Sequence, residues 1–103
     1  MVFKAYFGRD IKGIATVTRK AFDFFLRKEV DSKIKAYNVT DSIGTWDGTK
    51  EEGFVLEVLV KGFNASHLIG HQLTRIANLY CQAFNQDAVL ITKQEIDAVF
   101  ITG

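Results

Sequence analysis

The residues of this chain whose types and spacing suit chemistry are few. Trp46, Asp47, Glu51 and Glu52 crowd one short stretch, and Glu95 follows Gln94 in a second polar stretch near the C-terminus. An indole face beside carboxylates suits a cation, because the ring quadrupole and the negative charges attract it together. The plainer account of the same residues is a half-buried Trp46 packed on its neighbours, with the acids solvated in turns. His67 and His71 stand at i and i+4, which puts two imidazoles on one helix face as a metal pair needs. No third ligand is patterned toward them, since Glu57 and Asp87 are the nearest carboxylates in sequence; solvated or capping histidines, and no metal, are expected. Cys81 has the helical spacing of a packing residue, and as a lone cysteine it forms no internal disulfide, which fits a reducing, cytoplasmic setting. Neither a nucleophile elbow nor a phosphate-cradling glycine loop is present, so covalent catalysis is not expected and no cofactor is implied.

The elements that must position these groups follow from periodicity. The chain of 103 residues is short enough for one domain, residues 1–103, with 48% hydrophobic and 13% aromatic residues to build its core. Thirteen basic against twelve acidic side chains leave a formal charge of +1, too little to gather a phosphate backbone or an anionic membrane. No apolar run reaches a membrane span, so neither nucleic acid nor membrane is an expected partner. Val2 to Phe7 reads as a strand stopped by Gly8. Thr18 caps a helix, with Val17 and Phe22 placed as a hydrophobic staple, and Phe22, Phe25, Leu26, Val30 and Ile34 form its apolar face. Tyr37 to Trp46 is a second strand, turned by Asp47-Gly48. Phe54 to Val60 is apolar on both faces except at Glu57 and reads as a central strand. Ser66 is the expected cap of a second helix carrying Ile69, Leu73, Ile76, Ala77, Tyr80 and Phe84 on one stripe to about Gln86. Ala88 to Thr92 and Ala98 to Ile101 read as two more strands about a polar turn.

The order β-α-β-β-α-β with a C-terminal extra strand predicts an α+β, ferredoxin-like βαββαβ sandwich, with two helices on one face of an antiparallel sheet. The other face would expose Val55 and Leu59 unless subunits cover it, so a cyclic homo-oligomer is expected. The same strand order occurs in RNA-recognition domains, and Gly53-Phe54 resembles part of their third-strand motif. The basic first position is Glu52 here and the further aromatics are absent, which argues against RNA.

The segment Thr49-Lys50-Glu51-Glu52-Gly53-Phe54-Val55-Leu56-Glu57-Val58, with Ile76-Ala77-Asn78-Leu79-Tyr80-Cys81 and Phe84-Asn85-Gln86-Asp87-Ala88-Val89-Leu90-Ile91, resembles the phage-encoded S-adenosylmethionine-degrading enzymes, long called hydrolases. Tyr6-Phe7-Gly8-Arg9, Gly44-x-Trp46 and Phe84-x-Gln86 also resemble a family of small uncharacterised bacterial proteins. The first resemblance implies a PII-like trimer acting in the host cytoplasm as a cofactor-free lyase, which converts S-adenosylmethionine to methylthioadenosine and homoserine lactone. It implies that Glu52 is catalytic, holding the substrate ammonium or orienting the tail, and that Trp46, Glu51 and Glu95 bind substrate. Trp46 stands where some of those relatives carry tyrosine, so only an apolar or cation–π role transfers to it. The competing expectation is a non-catalytic PII-like trimer that binds a ligand or a partner.

Overall fold

Alternation along the first strand decides the architecture, because Phe3, Ala5 and Phe7 are buried while Val2, Lys4 and Tyr6 face the other way. The computed structural model describes residues 1–99 and 101–102. Strand β1 (Val2–Gly8) is followed by a small hairpin of β2 (Asp10–Ile11) and β3 (Ala15–Thr16), then helix α1 (Arg19–Phe25), which continues as a π-helical stretch Leu26–Val30. Strands β4 (Asn38–Trp46) and β5 (Thr49–Leu59) come next, then helix α2 (Phe63–Phe84) and strand β6 (Leu90–Gln94). The main sheet has the order β4-β5-β1-β6 with every neighbouring pair antiparallel. Two βαβ units are thereby interleaved, which is the expected ferredoxin-like α+β topology with both helices on one sheet face.

Register builds the core. Phe3 lies opposite Val58, Ala5 opposite Leu56 and Phe7 opposite Phe54, all buried beneath the helices. The Thr18 hydroxyl accepts the Ala21 amide at 3.0 Å, and Val17 and Phe22 are both buried, so the cap and staple form as expected. The turn between β4 and β5 has positive φ at both Asp47 (48°) and Gly48 (77°), the mirror-image turn whose twist matches a hairpin.

Three expectations fail. The second helix begins at Phe63, with Gly62 at φ 98° as its cap residue; the Ser66 amide bonds the Gly62 carbonyl at 3.0 Å, so Ser66 lies inside the helix. The first helix is not regular throughout, since the Asp31 amide bonds back to Leu26 at 2.9 Å across one extra residue. The C-terminal extra strand is absent among the described residues: the polar turn expected over 93–97 begins inside β6, and residues 95–99 and 101 form no strand. A run such as Ala98-Val99 has strand propensity but no neighbour to pair with in the single chain. Phe100 lies outside the described residues.

The face of the sheet away from the helices carries Tyr6, Leu59 and Leu90 exposed, Val2 and Val55 half-buried, and a Lys4–Glu57 ion pair at 3.8 Å near its centre. Strands β1 and β5 approach closely at one end of it. A Cβ on Gly53 would lie 2.7 Å from the Phe7 carbonyl oxygen and 3.3 Å from the Ser42 hydroxyl oxygen. Gly53→Ala is therefore expected to lower the unfolding free energy by about 1–3 kcal/mol, read by urea denaturation. An unchanged midpoint would mean that the two strands part without cost.

Candidate functional site

One end of the sheet concentrates the charged and motif residues. Just beyond β1, the Arg9 amide donates to the Glu52 carbonyl at 3.2 Å and the Arg9 carbonyl accepts the Val17 amide at 2.7 Å, so its backbone is clamped between β5 and the entry to α1. Its Nε donates to the Val17 carbonyl at 2.8 Å, and its guanidinium carbon lies 4.8 Å from the Phe54 ring centroid. Phe54 is in turn stacked on Phe22 at 4.1 Å and 12°. The Glu52 carboxylate is 3.7 Å from Arg9 Nη1, with the glutamate side chain 63% exposed and the arginine 23%. A second guanidinium, that of Arg19, sits 5.7 Å from the same ring and pairs with Asp23 at 3.0 Å and Asp41 at 3.4 Å. Two arginines against three carboxylates make this end nearly self-neutralising, so neither a phosphate nor a free cation is drawn there strongly.

Two motif fragments distant in sequence meet at the same end. The buried Tyr80 hydroxyl donates to the Gly8 carbonyl at 2.5 Å. The Gln86 side-chain amide donates to the Asp10 carbonyl at 2.7 Å, and its oxygen lies where a side chain on Gly8 would begin, 3.0 Å from a built Cβ. Lys12 closes the small hairpin onto Asp87. Tyr6-Phe7-Gly8-Arg9 and Phe84-x-Gln86 are thus two sides of one contact: Gly8 leaves room for Gln86, Phe7 fills the core against Tyr80 at 4.7 Å, and Arg9 ties down the loop. Burial pushes the Tyr80 phenol well above its ordinary range, and it pushes the Cys81 thiol up too, with Asp87 adding to the effect. Cys81 therefore carries its proton at neutral pH and is a poor nucleophile. Tyr37, which donates to Asp31, is pushed up to about 12, by burial first and by that bond second.

The four site residues expected from sequence are only partly brought together. Glu51 and Glu52 pair with Gly44 and Ile43, and Trp46 occupies the register position opposite Thr49, so these three share the β4–β5 hairpin. As consecutive strand residues, Glu51 and Glu52 lie on opposite faces. The Trp46 side chain is outside the described residues. Glu95 is elsewhere: it follows Gln94, which pairs with Val2, whereas Glu52 precedes Gly53, which pairs with Gly8. At about 3.4 Å per residue, these opposite ends of β1 are on the order of 20 Å apart. The substrate-binding set inferred from resemblance is therefore not assembled within one chain. Glu95 instead lines a shallow hollow of about 570 Å³ with Met1, Phe63, Ser66, Ile96 and Asp97. A smaller hollow of about 260 Å³ on the open sheet face is lined by Val2, Lys4, Tyr6, Thr92 and Gln94. Arg9 stands in no chemical motif of its own; its one mark in the sequence is its place directly after the glycine that stops an apolar strand.

The topology makes this an α+β protein of the ferredoxin-like class. More particularly, the chain belongs to the family described as "Protein of unknown function (DUF3574)", which matches residues 3–100. No match is found among curated proteins. Among solved structures, a de novo designed protein with a ferredoxin fold, determined in solution by NMR, is similar at a TM-score of 0.40 and 16% identity, covering 99% of this chain and 90% of that one. None of these comparisons joins the chain to the S-adenosylmethionine-degrading enzymes. Among the described residues no helix is long and apolar enough to cross a membrane.

The geometry separates the two halves of the Arg9–Glu52 pair. Arg9→Lys loses the Nε bond to Val17 and the planar stack on Phe54, and is expected to lower stability by about 1–2 kcal/mol. Glu52→Gln removes only an exposed ion pair and should cost less than about 0.5 kcal/mol. Chemical denaturation of both variants measures the difference; equal losses would show that the ion pair holds the arginine.

Proposed function

We propose that the chain is a self-assembling ligand-binding or interaction module, in which the open sheet face of each protomer meets that of another copy. The observation that carries this reading is the composition of that face. Tyr6, Leu59 and Leu90 leave apolar surface in water that a partner would remove. Lys4 and Glu57 lie side by side among them, so a neighbouring copy can offer each an opposite charge and fix the register between protomers. A cyclic trimer of PII-like arrangement, with the sheets toward the axis, is the assembly that the sequence resemblance adds. A cytoplasmic setting, in which Cys81 stays reduced, belongs to the same reading.

A lyase acting on S-adenosylmethionine is the second reading, favoured by one placement: Gly44, Trp46, Glu51 and Glu52 share one hairpin, with Glu51 on the open face and Glu52 on the helix side beside Arg9. In that reaction the substrate's own carboxylate attacks its Cγ, the C–S bond breaks, and methylthioadenosine leaves as a neutral thioether with homoserine lactone as co-product. The protein's task is to fold the tail into reach, an effect worth up to about 7–11 kcal/mol in well-oriented systems. Glu52 would exchange Arg9 for the substrate ammonium, at small cost because the pair is long and exposed. Glu95 would have to come from a neighbouring protomer, which makes assembly a condition of activity.

Sedimentation and light scattering should give a mass that is a multiple of 11.6 kDa, and Leu59→Asp should reduce it to the monomer with unchanged circular dichroism. A monomeric parent at high concentration would remove the interface. Thermal-shift measurements with adenine nucleotides should give stabilisation without consumption. If incubation with S-adenosylmethionine instead yields methylthioadenosine, and Glu52→Gln lowers the yield about 100-fold in an intact oligomer, the lyase reading replaces the first.

A further inference from the structure

Helix α2 carries His67 and His71 one turn apart, and their Nε2 atoms face each other at 3.2 Å. The rings meet edge to face, with centroids 4.7 Å apart and planes at 80°, and both are exposed. Phe63, a turn earlier, lies within 13° of parallel to the His67 ring at 6.4 Å. Spacing alone says that two imidazoles share a helix face; the structure adds that both turn the same nitrogen toward one point. Metal–imidazole bonds of about 2.0–2.1 Å, at angles between square-planar and tetrahedral, separate two ligating nitrogens by about 2.8–3.4 Å. The observed separation is that bite.

We propose that His67 and His71 together chelate one divalent transition-metal ion at the exposed start of α2. Each neutral imidazole offers a lone pair, so the ion takes the place of the proton that otherwise lies between the two rings. Among the described residues no third His, Cys, Asp or Glu joins them, so water or a ligand from outside the chain completes the coordination. A site of two imidazoles with open positions follows the intrinsic order of metal affinities, and Cu²⁺ is held more tightly than Ni²⁺ or Zn²⁺. The local charge is mixed. Arg75 follows His71 by one turn and opposes the ion, while Glu95 and Asp97 line the hollow beside Phe63 and Ser66 at the same helix end and favour it. This site is separate from the β4–β5 hairpin and from the open sheet face, so it stands whichever reading of function holds.

The test uses the full-length, untagged chain with CuCl2, NiCl2 and ZnCl2 in a non-chelating buffer, followed by calorimetric titration and thermal unfolding. Saturable binding of one Cu²⁺ per chain, a raised Tm reversed by EDTA, and weaker response to Ni²⁺ and Zn²⁺ are expected. His67→Ala and His71→Ala should each weaken Cu²⁺ binding by roughly tenfold or more, because each leaves a single imidazole. Both side chains are exposed, so the variants should keep the parent circular dichroism, and electron paramagnetic resonance of the Cu²⁺ complex should show nitrogen couplings that both variants change. Absence of saturable binding, or binding undiminished in both variants, overturns the proposal and leaves a hydrogen-bonded histidine pair.

Discussion

The fold depends on where Phe54 stands. Register places it opposite Phe7 in the middle of the sheet, and α1 brings Phe22 onto it in a stack of 4.1 Å. Phe7 then meets Tyr80 at 4.7 Å, and Tyr80 meets Phe25 at 5.3 Å, so both helices are fastened to the sheet through one aromatic group. Aromatic pairs add about 0.5–1.5 kcal/mol each beyond their burial. More consequential is that the group decides what its polar neighbours can do. Tyr80 is buried, so its hydroxyl must find a partner, and the Gly8 carbonyl at the end of β1 is the one it finds. Arg9 is held over the Phe54 ring as the chain leaves that strand. The motif end of the molecule is ordered because the aromatic core reaches its edge.

The two faces of the sheet divide the labour. Beneath the helices Phe3, Ala5 and Phe7 of β1 and Phe54, Leu56 and Val58 of β5 are apolar and dry; the opposite face mixes apolar and charged side chains and is left to water. Among the described residues no buried side-chain nitrogen or oxygen lacks a partner, so the interior stores no unsatisfied polar group to be released by a ligand. The ion pairs Lys4–Glu57, Arg9–Glu52 and Arg19–Asp41 join different elements at long range, each with an exposed carboxylate, and contribute little to stability. In the proposed assembly, recognition would rest on the shape and apolar content of the open face, with charge setting register rather than affinity.

Much of this was legible in the residues. Thr18 with its flanking Val17 and Phe22, the Asp47-Gly48 turn, and a strand apolar on both faces between two amphipathic helices suffice for the ferredoxin-like order. Each of these signals is local, and local physics decides them. The misses share a different cause. Gly62 rather than Ser66 starts α2 because a positive φ at Gly62 sets the entry, a fact about backbone rather than side-chain type. The π-helical stretch keeps Phe25, Leu26 and Val30 buried, so apolar spacing is blind to the residue it inserts. The Lys12-Gly13 hairpin is two residues deep, too short for alternation to register. The site was less legible than the fold, since the distance between Glu52 and Glu95 depends on which ends of β5 and β6 flank the same end of β1, and pairing register is not written in either strand alone.

Arg9 is what makes the role of Glu52 separable from the fold. The arginine is held three ways that do not involve the glutamate side chain: by its own backbone bonds to Glu52 and Val17, by Nε on the Val17 carbonyl, and by the face of Phe54. The glutamate side chain adds only a contact of 3.7 Å in water. Removing its charge therefore leaves the arginine, the strand end and the core in place, and the freed guanidinium remains solvated at small cost. In a protein whose carboxylate were structural, the reverse would hold: the acid would be buried, its partner would move when it is lost, and a change in function could not be told from a change in fold. Here a functional effect at Glu52 must come from what the carboxylate itself meets.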